Sequence, residues 1–246
     1  MNLLIDMGNT RLKWALTTAG QLMVGQFLVN KQVSREELIL QWKGIYHPRR
    51  IAISCVSANE LLELVQTVAR QLWLDIEIVL VKSQTQAFGV INAYPEPQKL
   101  GVDRWLALVA AWQKYHAPIC IVDCGTAITV DLINADGRHQ GGLINPGLEL
   151  MKKSLGQGTA TLPFSKVLAL YDAKATLANF TEAAIQNGTL IAALGLIEHV
   201  LANYPNRLLI LTGGDAELIA SQLKIKSIID MDLVLRGLLC VLEGQV

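Results

Sequence analysis

Two short stretches share one order of residue types. In Asp6-Met7-Gly8-Asn9-Thr10-Arg11-Leu12-Lys13 an apolar run ends in an acid, a glycine turn carries an amide and a hydroxyl, and an alternating run leaves it. In Asp123-Cys124-Gly125-Thr126-Ala127 the same grammar returns: apolar run, Asp, one residue, Gly, Thr, then an alternating run. Each reads as strand, tight turn, strand. A glycine turn of this kind exposes backbone N–H groups beside a carboxylate, and the first copy adds Lys13 at its exit. Such parts can hold a phosphate and a hydrated metal ion. One copy alone is equally well an ordinary hairpin whose Asn and Gly satisfy turn geometry. Two copies that faced each other across a cleft would clamp a polyphosphate from both sides. Phosphoryl transfer asks mainly for that positioning and charge stabilisation.

A third stretch supplies a different chemistry. Val90 to Gly101 holds two prolines, Tyr94 and a terminal glycine, which predicts a surface loop. It runs into Val102-Asp103-Arg104-Trp105 and a helical pattern through Leu106, Leu108, Val109 and Trp112. Asp103 and Arg104 therefore stand at a helix N-terminus. An Asp there is commonly a cap, whereas an Arg opposes the helix dipole and needs another partner.

The elements that must position these residues follow from periodicity. The opening hairpin is followed by a third strand over Gln21–Leu28, a helix over Arg35–Trp42, a strand over Arg50–Val56, a helix over Asn59–Leu74 and a buried strand over Asp75–Lys82. After Pro118 come the second hairpin, a turn at Asn134-Ala135-Asp136-Gly137, and a helix over Leu148–Leu155. A long helix from Thr181 through Leu201, a strand at Arg207–Leu211, a short helix, a strand near Ile225–Ile228 and a helix from Leu233 complete the chain. Both halves thus read hairpin, helix, strand, helix, an internal duplication with its boundary near residue 117. The α/β halves are expected at 1–117 and 118–246.

Composition narrows the function. Hydrophobic residues make up 52% of the 246 and charged residues only 17%, so a large core is expected. Lys+Arg and Asp+Glu both number 21, leaving no basic excess for nucleic-acid binding. A near-neutral apolar protein tends to associate. No run of about 18 uncharged apolar residues predicts a membrane span, and the N-terminal apolar run breaks at Asp6, too early for a signal peptide. Cys55, Cys120, Cys124 and Cys240 stand in apolar surroundings without C-x-x-C pairs, which reads as reduced thiols and a cytoplasmic protein. His47, His116, His139 and His199 match no pattern and read as surface or satisfied core residues.

The ordered series Asp6-x-Gly8-Asn9-Thr10-x-x-Lys13, Tyr94 with Pro97, Leu100-Gly101-Val102-Asp103-Arg104 and Asp123-x-Gly125-Thr126-Ala127 closely resembles type III pantothenate kinases. The series continues through Asp136-Gly137, Gly141-Gly142-x-Ile144-x-Pro146-Gly147, Thr159-Ala160-x-Leu162-Pro163, Thr181-x-x-Ala184-Ile185-x-x-Gly188 and Thr212-Gly213-Gly214, so the resemblance covers almost the whole chain. These kinases belong to the superfamily of acetate and sugar kinases, seventy-kilodalton heat-shock proteins and actin. The resemblance implies two duplicated ribonuclease H-like (actin-like ATPase) domains with an interdomain nucleotide cleft, and ATP-dependent phosphorylation of pantothenate, the first step of coenzyme A synthesis. It implies that Asp6, Met7, Gly8, Asn9, Thr10, Arg11, Leu12 and Lys13 bind ATP phosphates, with Asp6 near Mg²⁺, and that Thr126 adds a phosphate contact. Asp123 resembles the ligand of a monovalent cation, K⁺ or NH₄⁺; from its position alone it could equally serve Mg²⁺ or a hydrogen-bonded turn. Asp103 is implied as general base, with Tyr94, Gly101, Val102, Arg104 and Thr181 lining the pantothenate site. Here Asn179-Phe180-Thr181 departs from the family's pattern, in which Asn often directly precedes the Thr, so Thr181 as a helix N-cap stays open. The resemblance further implies a homodimer whose subunits share the pantothenate site. Two other functions remain in view: phosphorylation of another small hydroxyl compound, and a nucleotide-responsive accessory protein of the same fold.

Overall fold

A computed structural model describes residues 1–23, 25–158 and 172–244. The motif at Thr159 to Pro163 lies outside the described residues. The chain forms two compact units, the first comprising Met1–His116 with Gly137–His139 and the segment from Asp232 onward, the second Ala117–Asp136 with Gln140–Met231.

The first unit opens with the hairpin β1 (Asn2–Met7) and β2 (Arg11–Thr18), then the short strands β3 (Gln21–Leu22) and β4 (Gln26–Val29). It continues through α1 (Arg35–Trp42), β5 (Arg50–Cys55), α2 (Asn59–Leu72) and β6 (Glu77–Leu80). A small hairpin, β7 (Gln86–Ala87) and β8 (Val90–Ile91), precedes α3 (Val102–Tyr115). The sheet order is β3-β2-β1-β5-β6, with β4 also pairing β2. β1 runs antiparallel to β2 and parallel to β5, which is parallel to β6. Leu3, Ile5, Met7, Leu12 and Trp14 alternate inward from the hairpin onto α1 and α2. There Trp42 takes Trp14 edge-on and stacks on Trp73, both at 6.1 Å between ring centroids. The expected single strand over Gln21–Leu28 is two short ones, each paired to a different part of β2.

The second unit begins with β9 (Ile119–Cys124), β10 (Ala127–Ile133) and β11 (His139–Pro146), whose first residue belongs to the first unit. It proceeds through α4 (Leu148–Gly158), α5 (Thr181–Asn203), β12 (Leu208–Thr212), α6 (Ala216–Gln222) and β13 (Ser227–Ile229). Its sheet order is β11-β10-β9-β12-β13, with β9 antiparallel to β10 and parallel to β12. Counted within each unit, the order third-second-first-fourth-fifth therefore occurs twice, apart from the extra β4. The Asn134 side chain accepts the Asp136 N–H at 3.0 Å in the turn between β10 and β11, and Gly137 follows at φ +75°. Among the described residues α5 is the one helix long and apolar enough to span a bilayer. Its Leu190, Ala193, Leu194 and Ile197 are instead built into the core of this unit with Cys120, Val122 and Leu211.

The last helix, α7 (Leu233–Glu243), belongs with the first unit, which a division at residue 117 places otherwise. It lies along α3 and against β1 and β5, and the Arg50 guanidinium donates to the Leu242 carbonyl at 3.0 Å. The close crossing of α3 and α7 depends on Gly237. An added Cβ there would stand 2.7 Å from the Leu106 carbonyl carbon and 2.8 Å from its Cβ. A helical Gly→Ala change ordinarily gains about 0.5–1 kcal/mol, but overpacking a close helix contact costs about 1–3 kcal/mol. We expect Gly237→Ala to lower stability in urea unfolding followed by circular dichroism; a raised midpoint would show that the crossing yields at little cost.

Candidate functional site

The first hairpin sets its polar residues in a row. Asp6 lies opposite Lys13 on β2 and beside Ser54 on β5, and Lys13 lies opposite Phe27 on β4. Directly paired residues share a face of the sheet, so Ser54, Asp6, Lys13 and Phe27 follow one another across four strands. Met7 and Leu12, fully buried, point to the other face and the core. Their contribution to a phosphate site is thus limited to backbone. At the turn the Gly8 N–H donates to the Arg11 carbonyl at 3.0 Å, leaving Asn9, Thr10 and Arg11 exposed. The Arg11 guanidinium lies 5.0 Å from the Phe27 ring centroid.

The second hairpin is one residue tighter. Gly125 N–H donates to the Ala127 carbonyl at 3.1 Å, and Asp123 lies opposite Thr129 and beside Thr212. Each unit therefore sets its hairpin aspartate beside a hydroxyl on the neighbouring parallel strand: Ser54 in one, Thr212 in the other. The cross-strand partner differs, a lysine for Asp6 and a threonine for Asp123. Three glycines crowd this second turn. Gly147 donates to the Thr126 carbonyl at 2.9 Å, and Gly213, at φ +90°, leaves no room for a Cβ against Asp123 and the Cys124 backbone. Asp215 N–H in turn donates to the Cys124 carbonyl at 2.9 Å. Residues 213–215 thus form one wall of the turn, a role that the Thr212-Gly213-Gly214 motif did not disclose by spacing. Burial, with the charges of Asp123 and Asp215, pushes the Cys124 thiol far up, and burial pushes Cys120 up to about 12.

The acceptor-like loop is organised by Asn92, a buried residue that carried no signal in the sequence. Its amide donates to the carbonyls of Gln84 at 3.1 Å and Pro97 at 3.4 Å, while its Oδ1 accepts the Tyr94 N–H at 3.0 Å. Ser83 fixes the loop's end by donating to the Leu100 carbonyl at 2.8 Å. Arg104 finds the partner that its helix position demanded: Nη1 donates to the Tyr94 hydroxyl at 3.1 Å, and the guanidinium stands 5.8 Å from the ring centroid. His139 stacks on Tyr94 at 6.1 Å and 12° and accepts the Ala93 N–H at Nδ1, 3.4 Å away. A histidine without a motif thus backs a candidate substrate residue. Gly101 occupies the N-cap position of α3, and Asp103 in the first turn accepts the Arg104 N–H at 2.8 Å through Oδ1. A Cβ on Gly101 would fall 2.6 Å from that oxygen, so glycine leaves room for the carboxylate.

These residues fall into groups. Asp6 to Lys13, Tyr94 and Gly101 to Arg104 belong to the first unit; Asp123, Thr126 and Thr181 belong to the second. Thr181 is the first residue of α5, behind Phe180 at the N-cap position, and Phe180 makes no side-chain cap bond. Thr181 is exposed and lines a cavity between α4 and α5 with Met151, Leu155, Ala184 and Gly188. Among the described residues no three His, Cys, Asp or Glu side chains gather into a metal cage. A lone carboxylate such as Asp6 suits Mg²⁺, which keeps several waters and takes phosphate oxygens for the rest. Asp123 is packed against Gly125 and Gly213, and any Cβ at 213 would fill the space beside its carboxylate.

Twin sheets of one strand order, each carrying a glycine hairpin behind an aspartate, define the actin-like ATPase and sugar-kinase fold. Solved structures agree on it. A Campylobacter jejuni protein placed in the Baf family of transcriptional activators superposes with a TM-score of 0.61 at 20% identity, covering 99% of this chain and 100% of its own. The activator of 2-hydroxyisocaproyl-CoA dehydratase from Clostridium difficile, with bound ADPNP, reaches 0.52 at 11% identity over 97% and 91%. The profile of type III pantothenate kinases matches residues 2–203. A type III pantothenate kinase of Nitrosococcus oceani is 37% identical over 97% of this chain and 92% of its own. The chain belongs to the type III pantothenate kinase family.

Thiol chemistry tests the buried second hairpin. With their thiols held above the ordinary range, Cys120 and Cys124 should resist iodoacetamide at pH 8 in the native protein and react on unfolding in guanidinium. Peptide mapping by mass spectrometry reads this directly. Rapid native labelling of Cys124 would show that the turn opens.

Proposed function

We propose that the chain transfers the γ-phosphoryl group of ATP to the primary hydroxyl of pantothenate, giving 4′-phosphopantothenate in the first step of coenzyme A synthesis. The observation that carries this reading is the Tyr94–Arg104 contact beside Asp103 at the start of α3, in a chain of this family.

The Gly8–Arg11 turn and Lys13 bind the ATP phosphates, and Thr126 contacts them from the second hairpin. Asp6 holds Mg²⁺, which when bound neutralises phosphate charge. Arg104, its guanidinium already oriented by the Tyr94 hydroxyl, receives the pantothenate carboxylate; a planar fork suits that group. Gly101 and Val102 lay their backbone along the substrate, and Asp103 orients the acceptor hydroxyl. As the hydroxyl oxygen bonds to the γ-phosphorus, the bond from that phosphorus to the β–γ bridging oxygen breaks and ADP leaves. The hydroxyl proton passes to Asp103. A loose transition state needs the nucleophile oriented more than fully ionised, so a carboxylate suffices. Asp123 holds a monovalent cation, K⁺ or NH₄⁺, in the cradle made by Gly125 and Gly213.

The active species is a homodimer in which a second copy covers the exposed face of α5 beside α4 and completes the pantothenate site near Thr181. The exposed Ala184, Gly188 and Ile191 on that face support this, since water-facing apolar surface along a helix favours association. Four free cysteines, two of them buried, fit a reducing cytoplasm.

ADP release coupled to NADH oxidation tests the reaction. Turnover should require ATP, Mg²⁺ and pantothenate together; ATP hydrolysis indifferent to pantothenate would sink the assignment. Asp103→Asn should keep the unfolding midpoint and nucleotide binding while kcat falls about 10²–10⁴-fold. Near-normal kcat in that variant would place the base elsewhere. Replacing K⁺ by Na⁺ should cut the rate sharply, and equal rates would remove the cation from Asp123.

A further inference from the structure

Asn30 carried no weight in the motif pattern, yet it touches the Gly8–Arg11 turn at two points. It opens a single 3₁₀ turn over Asn30–Gln32, directly after β4. Its side-chain Nδ2 donates to the Gly8 carbonyl at 2.9 Å, and its backbone N–H donates to the Thr10 carbonyl at 2.9 Å. The two bonds come from one residue and bracket Asn9. No peptide bond of the described chain is cis, so each C=O points opposite to the N–H of its own peptide plane. Holding the Gly8 carbonyl toward Asn30 therefore turns the Asn9 N–H away from it, and holding the Thr10 carbonyl turns the Arg11 N–H away likewise. These are the donors that an anion seated on the turn would use.

We infer that Asn30 is a positioning residue for nucleotide phosphates: its side-chain amide fixes the Gly8–Asn9 peptide plane, beside the Thr10–Arg11 plane held by its backbone N–H, so that the Asn9 N–H faces the anion. The inference rests on the reading of that turn as the ATP-phosphate site. It assigns to the amide a duty beyond stability. The turn also has little slack, since a Cβ at Gly8 would lie 3.3 Å from the Arg11 carbonyl oxygen. The other amide atom, Oδ1, is buried and accepts no hydrogen bond among the described residues, an arrangement kept at a cost in polar satisfaction. An apolar residue of similar size would relieve that cost but would release the Gly8 carbonyl.

The test uses Asn30→Leu, which keeps bulk without a donor, Asn30→Ala, and Asn30→His, which restores an N–H at similar reach. MgADP affinity is measured by calorimetry without pantothenate, and KM for ATP and for pantothenate are measured separately. Loss of one positioning hydrogen bond should weaken MgADP binding and raise KM for ATP about threefold to tenfold in the Leu and Ala variants. KM for pantothenate should stay unchanged, and Asn30→His should recover at least part of the nucleotide affinity. Wild-type MgADP affinity in Asn30→Leu would overturn the proposal. So would a parallel loss of both KM values and the unfolding midpoint in all three variants, which marks a merely structural role. Because the calorimetry needs no acceptor, failure of pantothenate turnover in the wild type would count against the assigned reaction and leave this test standing.

Discussion

A carboxylate at the end of a buried strand is the constraint on which this protein depends. Water solvates such a group poorly once the flanking apolar residues have packed. The chain must therefore turn at once and surround the acid with hydroxyls, peptide N–H groups or a counter-charge. Both units share one layout around the acid: Gly two residues on, a hairpin, and a hydroxyl-bearing residue in register on the next parallel strand, Ser54 beside Asp6 and Thr212 beside Asp123. The apolar alternation that buries Met7 and Leu12 is the same feature that holds Asp6 and Lys13 together on the opposite face. Core and site are thus two faces of one pleated ribbon.

Duplication did not make the hairpins equivalent. The first has a four-residue turn and a lysine opposite its acid, which suits a polyanion approaching with its metal. The second is shorter, places Thr129 opposite Asp123, and is walled by Gly147, Gly213 and the amide of Asp215. A tight turn packed on three sides has little freedom to move. An exposed turn owes its shape to the few points that hold it.

The acceptor side is built by another logic. No strand supports Tyr94 or Asp103; a proline-bracketed loop and the first turn of α3 carry them. Order comes from polar side chains acting on backbone: Asn92 across the loop, Ser83 at its end, and the His139 ring beneath Tyr94. Arg104 repels the positive end of its helix dipole, yet it is buried, and the Tyr94 hydroxyl is one group that makes its place tenable.

The sequence by itself determined most of the elements and singled out the candidate side chains. Period-two and period-3.6 patterns are local and strong in this apolar chain, so α1 begins and ends where its spacing placed it, and the two Asp-x-Gly hairpins were legible from residue type alone. The need of Arg104 for a partner was legible too, because a cation at a helix start is a local anomaly. Tertiary structure alone decided which partners answered. Asn30, Asn92 and His139 are separated in sequence from the backbone groups and rings that they hold, and no periodicity connects residues 8 and 30 or 94 and 139. The placement of α7 with the first unit was equally hidden, since an amphipathic helix announces that it packs but not against what. Gly237 beneath Leu106 settles that only once both helices exist, because steric fit is a property of surfaces brought together and not of either stretch alone.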